Sequence, residues 1–258
     1  MRNTLYLMFL LLATPLFMAC PSETGDFDID FGYDYYPLDL GLYWEYQVDS
    51  VIYRELGNAV DTTSSFIREE IVEEFLDQVA DTIYRIERLY RADSASVEIP
   101  TDQWATSQNI STMTRTEENL KFIKMVYPIE IDESWDGNAF VNANTVINVG
   151  GENLELFIDF DYKVISINEE EEIKGVMYQD VVTIQNADNF DPTLPIDSQN
   201  KLNRRLIIEK YARNIGLVYK RHLVVDTQCL SAVCDTIPWE LKAEKGYGLE
   251  MFLIDYGK

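Results

Sequence analysis

The sequence is poor in basic residues, histidine and cysteine. It has 21 lysine and arginine residues against 45 aspartate and glutamate residues, which gives a formal net charge of -24 at pH 7. A surface this acidic repels phosphate backbones and anionic headgroups, so it disfavours binding to nucleic acid or to the face of an anionic membrane. We therefore expect no nucleic-acid partner.

Recognisable catalytic motifs are also missing. The chain contains no G-x-S-x-G, no P-loop and no H-E-x-x-H, and its only imidazole is that of His222. This residue lies within VYKRHLVVD, where a solvent-facing strand position is the simplest interpretation. The sequence thus predicts a non-catalytic protein without a cofactor or a metal. A carboxylate-dependent hydrolase stays open as an alternative, because 45 acidic residues contain many possible pairs.

Long apolar runs are absent except near the N-terminus. Leu5–Phe17 follows the positive charge of Arg2 and precedes the small residue Ala19. This run is too short to cross a bilayer comfortably and has the order of a secretory signal peptide. Cys20 comes next, and the ending resembles the lipobox of bacterial lipoproteins, in which a signal peptidase cleaves before a lipid-modified cysteine. The resemblance implies a signal peptide over residues 1–19 and an outer-membrane anchor at Cys20.

The two other cysteines, Cys229 and Cys234, are spaced C-x4-C. In an exported protein such a pair is expected to form a local disulfide. A zinc site is the weaker interpretation, because there is no second cysteine pair and His222 could complete four ligands only with carboxylates. We therefore predict a disulfide and no metal.

Residues 20–36 join the cysteine at the cleavage site to an acidic, irregular segment, and we expect a tether between the lipid and the folded domain. The spacing of Asp26, Asp28 and Asp30 is that of a calcium loop. This interpretation fails because Phe31 stands where such a loop needs glycine and Pro37 where it needs glutamate. The β domain is then expected over residues 37–258.

From residue 41 onward the dominant hydrophobic period is two, which is typical of half-buried strands. In the first strand Trp44, Tyr46 and Val48 share one face. Short polar turns rather than helices separate the candidate strands, which favours antiparallel pairing. The further candidate strands are residues 82–92, 104–114, 120–127, 154–166, 176–185, 205–212, 217–226 and 247–255.

Some segments are less regular. Residues 66–77 place apolar residues four apart, which suits a helix or a strand, and we favour a strand because the neighbouring segments are strands. The acidic run Glu169–Glu172 is expected in a solvated turn. Three tryptophans beside polar or proline-containing segments are expected at the surface: Trp104, Trp135 and Trp239.

The segment Tyr35–Tyr46, YYPLDLGLYWEY, resembles the opening motif Y-[FY]-P-L-x-x-G-x-x-W-x-Y of a group of bacterial lipoproteins and exported β-domains, several of them from Bacteroidota. Two later segments, Gly175–Val181 and Glu209–Val218, resemble a strand and a hairpin of the same group. The order and spacing agree along most of the chain. These motifs carry no catalytic residue, so the resemblance implies an envelope lipoprotein of unknown function.

Together these features predict a mainly β fold: a single large antiparallel sheet, either strongly curved or an incomplete barrel, with little helix. The membrane contact is expected through Cys20 alone, on either face of the outer membrane. Three functions stay open. A binding or assembly module for a protein or glycan predicts exposed aromatic residues around a groove. A carrier of an apolar ligand predicts an apolar cavity, and the hydrolase predicts two nearby carboxyls of which one has a raised pKa.

Overall fold

Strands dominate the computed structural model, which describes residues 29–78, 81–155, 161–186 and 201–258. The chain divides into residues 1–30 and residues 31–258, and the fold below is that of the second unit. The expected signal peptide, Cys20 and the start of the tether lie outside the described residues. No helix among the described residues is long and apolar enough to cross a membrane.

The described strands run mostly as the period-two pattern predicts, and the only α-helix among the described residues is a single turn. The strands are β1 (Tyr43–Arg54), β2 (Ala59–Leu76), β3 (Thr82–Arg91), β4 (Ile99–Gln108), β5 (Thr112–Glu117), β6 (Leu120–Val126), β7 (Ser134–Asp136), β8 (Val146–Val149), β9 (Glu152–Glu155), β10 (Asp161–Ile173), β11 (Val176–Asn186), β12 (Asn203–Ala212), β13 (Gly216–Asp226) and β14 (Lys245–Gly257). The helix α1 is Trp239–Lys242, and 3-10 turns lie at Tyr33–Tyr35, Glu55–Gly57 and Ala232–Thr236.

Twelve strands form one antiparallel sheet in the order β6-β5-β4-β3-β2-β1-β14-β13-β12-β11-β10-β7, and β8 and β9 form a separate hairpin. The first and last strands pair in the middle of the sheet, with Tyr43 opposite Gly257. The two edges also meet. The backbone N–H of Ile123 on β6 donates to the carbonyl of Gly137, just after β7, at 2.9 Å. The sheet is therefore nearly closed into a barrel, as the sequence predicts.

The inward face of β1 shows why the sheet closes. Trp44 is 4% exposed, Tyr46 1% and Val48 4%, so the predicted inward face is confirmed. A closed sheet gives these large side chains an interior in which both rings and backbone are shielded from water. Burial of apolar area at about 25 cal/mol per Å² is the main force that favours this closure.

Two of the segments that carry the resemblance, Tyr35–Tyr46 and Glu209–Val218, meet at one end of the sheet. Tyr36 packs 6.4 Å from Trp44 and 6.1 Å from Tyr211, measured between ring centroids. The hydroxyl of Tyr46 donates to the carbonyl of Leu217 at 3.2 Å. Segments far apart in the sequence thus share one aromatic cluster.

The expected boundary of the tether at residue 36 differs from the structure. Tyr35 is 1% exposed and Tyr36 is 4% exposed, so the folded part begins before Pro37. The guanidinium of Arg213 donates to both carboxylate oxygens of Asp34 at 2.7 and 2.9 Å. Two aromatic rings and an ion pair hold this stretch, and an acidic composition alone does not reveal them.

Residues 66–77 fall mainly in β2, so the strand interpretation is right. The single strand predicted over residues 104–114 is wrong, because a turn separates β4 from β5. Asn109 makes this turn: its side-chain oxygen accepts from the backbone N–H groups of Ser111 at 2.9 Å and Thr112 at 2.8 Å. The described strands of the large sheet number twelve.

The acidic run Glu169–Glu172 lies inside β10 and not in a turn. Its pairing with β11 contains several register shifts, and the turn follows at Lys174 and Gly175. Glu171 pairs with Lys210 at 2.6 Å on the outer face of the sheet. Like charges are accepted there because water and one cation screen them. Residues 156–160 of the predicted strand 154–166 lie outside the described part.

A smaller apolar cluster lies outside the sheet, beneath α1. Trp239 is 4% exposed and packs with Tyr53 and Leu223, so its expected surface position is wrong. The disulfide between Cys229 and Cys234, whose Cα atoms are 5.8 Å apart, lies in the segment that leads into this helix.

Gly137, where the two edges of the sheet meet, is the basis of a steric prediction. A Cβ at position 137 would overlap the ring of Tyr162, so Gly137→Ala must displace a fully buried aromatic residue. We expect this variant to lower the free energy of unfolding by roughly 1–3 kcal/mol, the usual cost of overpacking. Urea unfolding measures it. In a Tyr162→Ala background the ring is absent, so Gly137→Ala should lower the free energy of unfolding by less than about 0.5 kcal/mol. An equal loss of stability in both backgrounds would contradict the overlap.

Candidate functional site: charged residues and a cavity inside the sheet

Among the described residues, seven charged side chains form one connected group in the interior of the sheet, and we call them the ion-paired layer. Their side chains are at most 17% exposed: Glu69, Arg88, Arg115, Glu117, Lys124, Glu209 and Lys220. Glu69 accepts from Arg88 at 3.1 Å and from Arg115 at 2.6 Å. Both oxygens of this carboxylate are therefore paired with guanidinium groups. The hydroxyl of Tyr36 accepts from Arg115 at 3.1 Å and links the layer to the aromatic end of the sheet.

The second half of the layer centres on Glu209. One of its oxygens accepts from Lys124 at 3.0 Å and lies 3.1 Å from Lys220. The other oxygen accepts from the hydroxyl of Tyr211 at 2.8 Å. Glu117 joins the two halves, because it lies 3.2 Å from Arg115 and 3.6 Å from Lys124. All seven groups thus belong to one connected network.

Strand register brings these charges together. Arg88 on β3 is directly opposite Glu69 on β2, and Lys220 on β13 is opposite Glu209 on β12. Each occupies an inward position: Glu69, for example, lies two residues from the buried Ile71 on the same face. Sequence reasoning missed the layer. The only available signal was a charged residue at an inward step of an alternating strand, which is ambiguous until the partner strand is known.

The cations lower the pKa of two buried carboxyl groups, those of Glu117 and Glu209. Burial alone would raise the pKa of Glu209, but Lys124 and Lys220 lower it to about 2. Burial likewise opposes ionisation of Glu117, yet Lys124, Lys220 and Arg115 hold its pKa well below the usual range. A general acid for glycoside hydrolysis needs a raised pKa. These two carboxyls have the opposite property and suit permanent ion pairing.

A cavity of about 330 Å³ lies against the layer inside the sheet. Arg88, Lys124 and Lys220 line one side of it. Glu118, in the turn between β5 and β6, also lines the cavity and is exposed, so the cavity reaches the surface there. The apolar part of the wall consists of Leu120, Phe122, Ile147, Ile207, Leu249 and Met251.

The β8–β9 hairpin covers the end of the interior opposite the aromatic cluster. Leu154 is fully buried against Val224, and Ile147 and Phe122 pack on the same group. Ile147 also lines the cavity. The hairpin therefore separates the cavity from solvent with apolar side chains, while the ion-paired layer bounds it on the other side.

Trp104 forms another part of the cavity wall. The guanidinium of Arg88 lies 3.7 Å from a ring centre of Trp104, and that of Arg115 lies 4.6 Å away. Its indole Nε1 is buried and has no hydrogen-bond partner. Trp104 is partly buried, so its expected position at the surface is wrong. A buried indole N–H without an acceptor costs free energy unless a bound molecule supplies one.

His222 lines the same cavity, so the predicted solvent-facing position is wrong. The hydroxyl of Tyr247 lies 3.3 Å from its Nδ1. Burial, followed by the charges of Lys220 and Lys124, lowers the pKa of His222 to about 3. The imidazole is neutral at physiological pH and contributes a polar but uncharged part of the cavity wall.

An aromatic groove of about 480 Å³ lies at the other end of the molecule. Tyr33, Tyr36, Leu38 and Tyr84 line it. A binding module for a protein or glycan predicts exposed aromatic residues around a groove. This groove matches that prediction only in part, because Tyr36 is 4% exposed.

The other predicted site residues contribute no binding geometry. Cys20 lies outside the described residues, and Cys229 and Cys234 form the disulfide noted above, away from the residues that line the cavity. Within residues 29–78, 81–155, 161–186 and 201–258, no three histidine, cysteine, aspartate or glutamate residues are grouped so that they could hold a metal ion.

Comparison with known proteins gives two similar solved structures. One is a protein from Bacteroides fragilis named as exported with a YmcC-like fold, which matches with a TM-score of 0.44 and 10% identity over 89% of this chain and 100% of its own. The other, from Parabacteroides distasonis, is named as a lipoprotein and matches with a TM-score of 0.34 and 11% identity over the same shares. No family model matches the chain, and no curated protein does.

The lowered pKa of His222 predicts a pH dependence of stability. The unfolded chain binds a proton below about pH 6.5, whereas the folded chain does so only near pH 3. The free energy of unfolding should therefore fall as the pH decreases between these values, by up to about 1.4 kcal/mol per pH unit. Urea unfolding between about pH 7 and 5 isolates this effect, since carboxyl groups protonate at lower pH.

Two variants at the contact between His222 and Tyr247 serve as controls. His222→Phe should remove the added slope and leave only the pH dependence of the remaining charges, while Tyr247→Phe, which keeps the imidazole, should retain it. Equal slopes in the wild type and in His222→Phe would show that the imidazole protonates in the folded protein.

Proposed function

We propose that this protein is a lipid-anchored component of the bacterial cell envelope that acts without catalysis and binds a small ligand inside its sheet. The cavity of about 330 Å³ between the ion-paired layer and the β8–β9 hairpin carries the proposal. It combines an apolar wall with a few convergent polar groups, which is the usual construction of a small-molecule site.

The size of the cavity limits the ligand. Ligand pockets are commonly about 300–1,000 Å³, so this one is at the small end. A single short alkyl chain or one small ring system fits such a volume, whereas a complete diacyl lipid does not. Each buried methylene would contribute about 0.8 kcal/mol, so a short chain can supply useful affinity. Among the hypotheses from the sequence, this supports the carrier of an apolar ligand.

The electrostatics of the interior support binding rather than hydrolysis. Two carboxylates of the ion-paired layer, Glu117 and Glu209, are paired with lysine and arginine, and their pKa values are lowered. Truncation of one member of a buried ion pair costs about 3–5 kcal/mol, so the layer also fixes the cavity wall. The site thus has the rigidity of a preformed receptor.

The proposed location in the cell envelope rests on residues 1–20. The signal-like segment over residues 1–19 and the lipobox-like ending at Cys20 support export and lipid attachment. Two or more acyl chains are needed for stable anchoring, since one chain gives only reversible binding. The acidic tether expected after Cys20 would separate the lipid from the folded domain.

Cavity binding predicts a change in probe fluorescence. N-phenyl-1-naphthylamine, an uncharged apolar dye, should bind the mature protein with about one-to-one stoichiometry and become fluorescent. Leu249→Trp, which fills the cavity, should weaken binding at least about tenfold, because the lost space removes about 1.4 kcal/mol or more of contacts. Titration of fluorescence measures both values.

The matched control is Ile254→Trp, which introduces the same side chain at an exposed position of β14. It should bind the dye as the wild type does. Thermal unfolding of both variants checks that they are folded. Equal binding by folded Leu249→Trp would place the dye elsewhere, with the aromatic groove around Tyr33 and Tyr84 as the next candidate.

The anchor predicts a labelling pattern in cells. A clickable fatty acid should label the wild type and Cys229→Ala but not Cys20→Ala, because Cys20 alone follows the signal-like segment. Digestion by proteinase on intact cells would then indicate exposure at the cell surface, and full protection would indicate the periplasmic face. Labelling that persists in Cys20→Ala would contradict the anchor.

A further inference from the structure

We propose that the cavity holds its ligand by an anionic group, bound by Lys220 together with Arg88 and the indole N–H of Trp104, so that the ligand is a small amphiphile with an acidic head. The inference rests on the proposed cavity-binding function and adds the chemical class of the ligand. Three observations support it: the charge balance of the layer, the pairing of Lys220 and the unpaired Nε1 of Trp104.

The charge balance of the layer is positive in a protein that is otherwise strongly acidic. Its four cations face three carboxylates, so the layer has one cation more than its own carboxylates neutralise. Asp102 also pairs with Arg88, at 3.3 Å, but its side chain is 29% exposed and lies at the edge of the layer. Because Asp102 is partly exposed to water, the buried part of the layer keeps one more cation than carboxylates, and an anion bound there would be stabilised.

Lys220 is the cation with the weakest compensation. Its ammonium lies 3.1 Å from one oxygen of Glu209, and the same oxygen also accepts from Lys124. One carboxylate oxygen thus serves two ammonium groups. An ammonium has three donors, and Lys220, 14% exposed, lines the cavity. An acidic head in the cavity would complete its hydrogen bonding.

Trp104 supplies the second polar contact. Its Nε1 is a donor only, it is buried, and no group among the described residues accepts from it. Trp104 lines the cavity beside Arg88. An unpaired donor next to a partly compensated cation matches an acceptor with several oxygens, such as a carboxylate or a phosphate.

Two glutamates of the cavity wall, Glu117 and Glu118, would repel an acidic head if their charges were not compensated or screened. Glu117 lies 3.2 Å from Arg115 and 3.6 Å from Lys124, so its charge is compensated within the layer. Glu118 is exposed in the turn between β5 and β6, where water screens it. Much of the remaining wall is apolar, including Phe122 and Leu249, and suits the alkyl part of an amphiphile.

The test compares four octyl compounds on the mature full-length protein by calorimetry and by displacement of N-phenyl-1-naphthylamine. Octanoate and octyl phosphate carry the acidic head, octanol is neutral and octylammonium is cationic. We expect at least one anion to bind about tenfold or more tightly than octanol, and octylammonium to bind more weakly than octanol. The preferred anion distinguishes a fatty acid from a phosphorylated amphiphile.

Variants locate the head. Lys220→Met should weaken the preferred anion at least about tenfold more than it weakens octanol, whereas Lys220→Arg should retain most of the anion preference. Lys210→Met, which removes an outward lysine paired with Glu171 on β10, is the matched control and should change neither. Trp104→Phe should reduce the anion preference several-fold. The neutral alcohol reports the cavity itself, and thermal unfolding of each variant checks that it is folded.

The outcomes separate the two proposals. If no octyl compound binds and the dye does not, the cavity function is wrong. If octanol binds as tightly as both anions, the cavity function stands and the anionic head is overturned. If anions are preferred but Lys220→Met does not reduce that preference, the head lies elsewhere and the assignment to Lys220 is wrong.

Discussion

The structure depends on the neutralisation of charge inside a nearly closed sheet. Glu69 accepts from two arginines, and Glu209 contacts two lysines and a tyrosine, so opposite walls of the sheet are joined through their side chains. An isolated buried ion costs several kcal/mol, and removal of one partner leaves such an ion behind. The network is therefore stable only as a whole. It fixes the separation of strands that are distant in the sequence.

This layer divides the interior into parts with different roles. On one side the aromatic cluster of Tyr36, Trp44 and Tyr211 is closely packed. Elsewhere the β8–β9 hairpin covers the interior with Leu154, and the cavity against the layer remains open. Rigid charged groups cannot collapse into that space as aliphatic side chains could. The wall of paired charges beside apolar residues is thus a structural element, and in the proposed function it is also the surface that recognises the ligand.

The period-two pattern predicts the fold class and most strands, because side chains alternate across a sheet wherever one face is buried. It fails where local chemistry changes the backbone without changing the pattern. Asn109 makes a turn inside an alternating stretch, and Glu169–Glu172 continues a strand despite its charge. His222 and Trp104 face the cavity although their neighbours suggest a surface position. For His222 and Trp104, the face of the sheet depends on pairing with distant residues.

The sequence by itself determines the acidic composition, the mainly β architecture and the features expected of export, since these depend on residue types and on local periodicity. The candidate site is different. Glu69, Arg88, Glu209 and Lys220 are ordinary charges on four separate strands until register places them opposite one another inside the closed sheet. Only the tertiary structure decides which charges are buried and which cavity they line, because Coulomb interactions and desolvation depend on distances in space and not on separation along the chain.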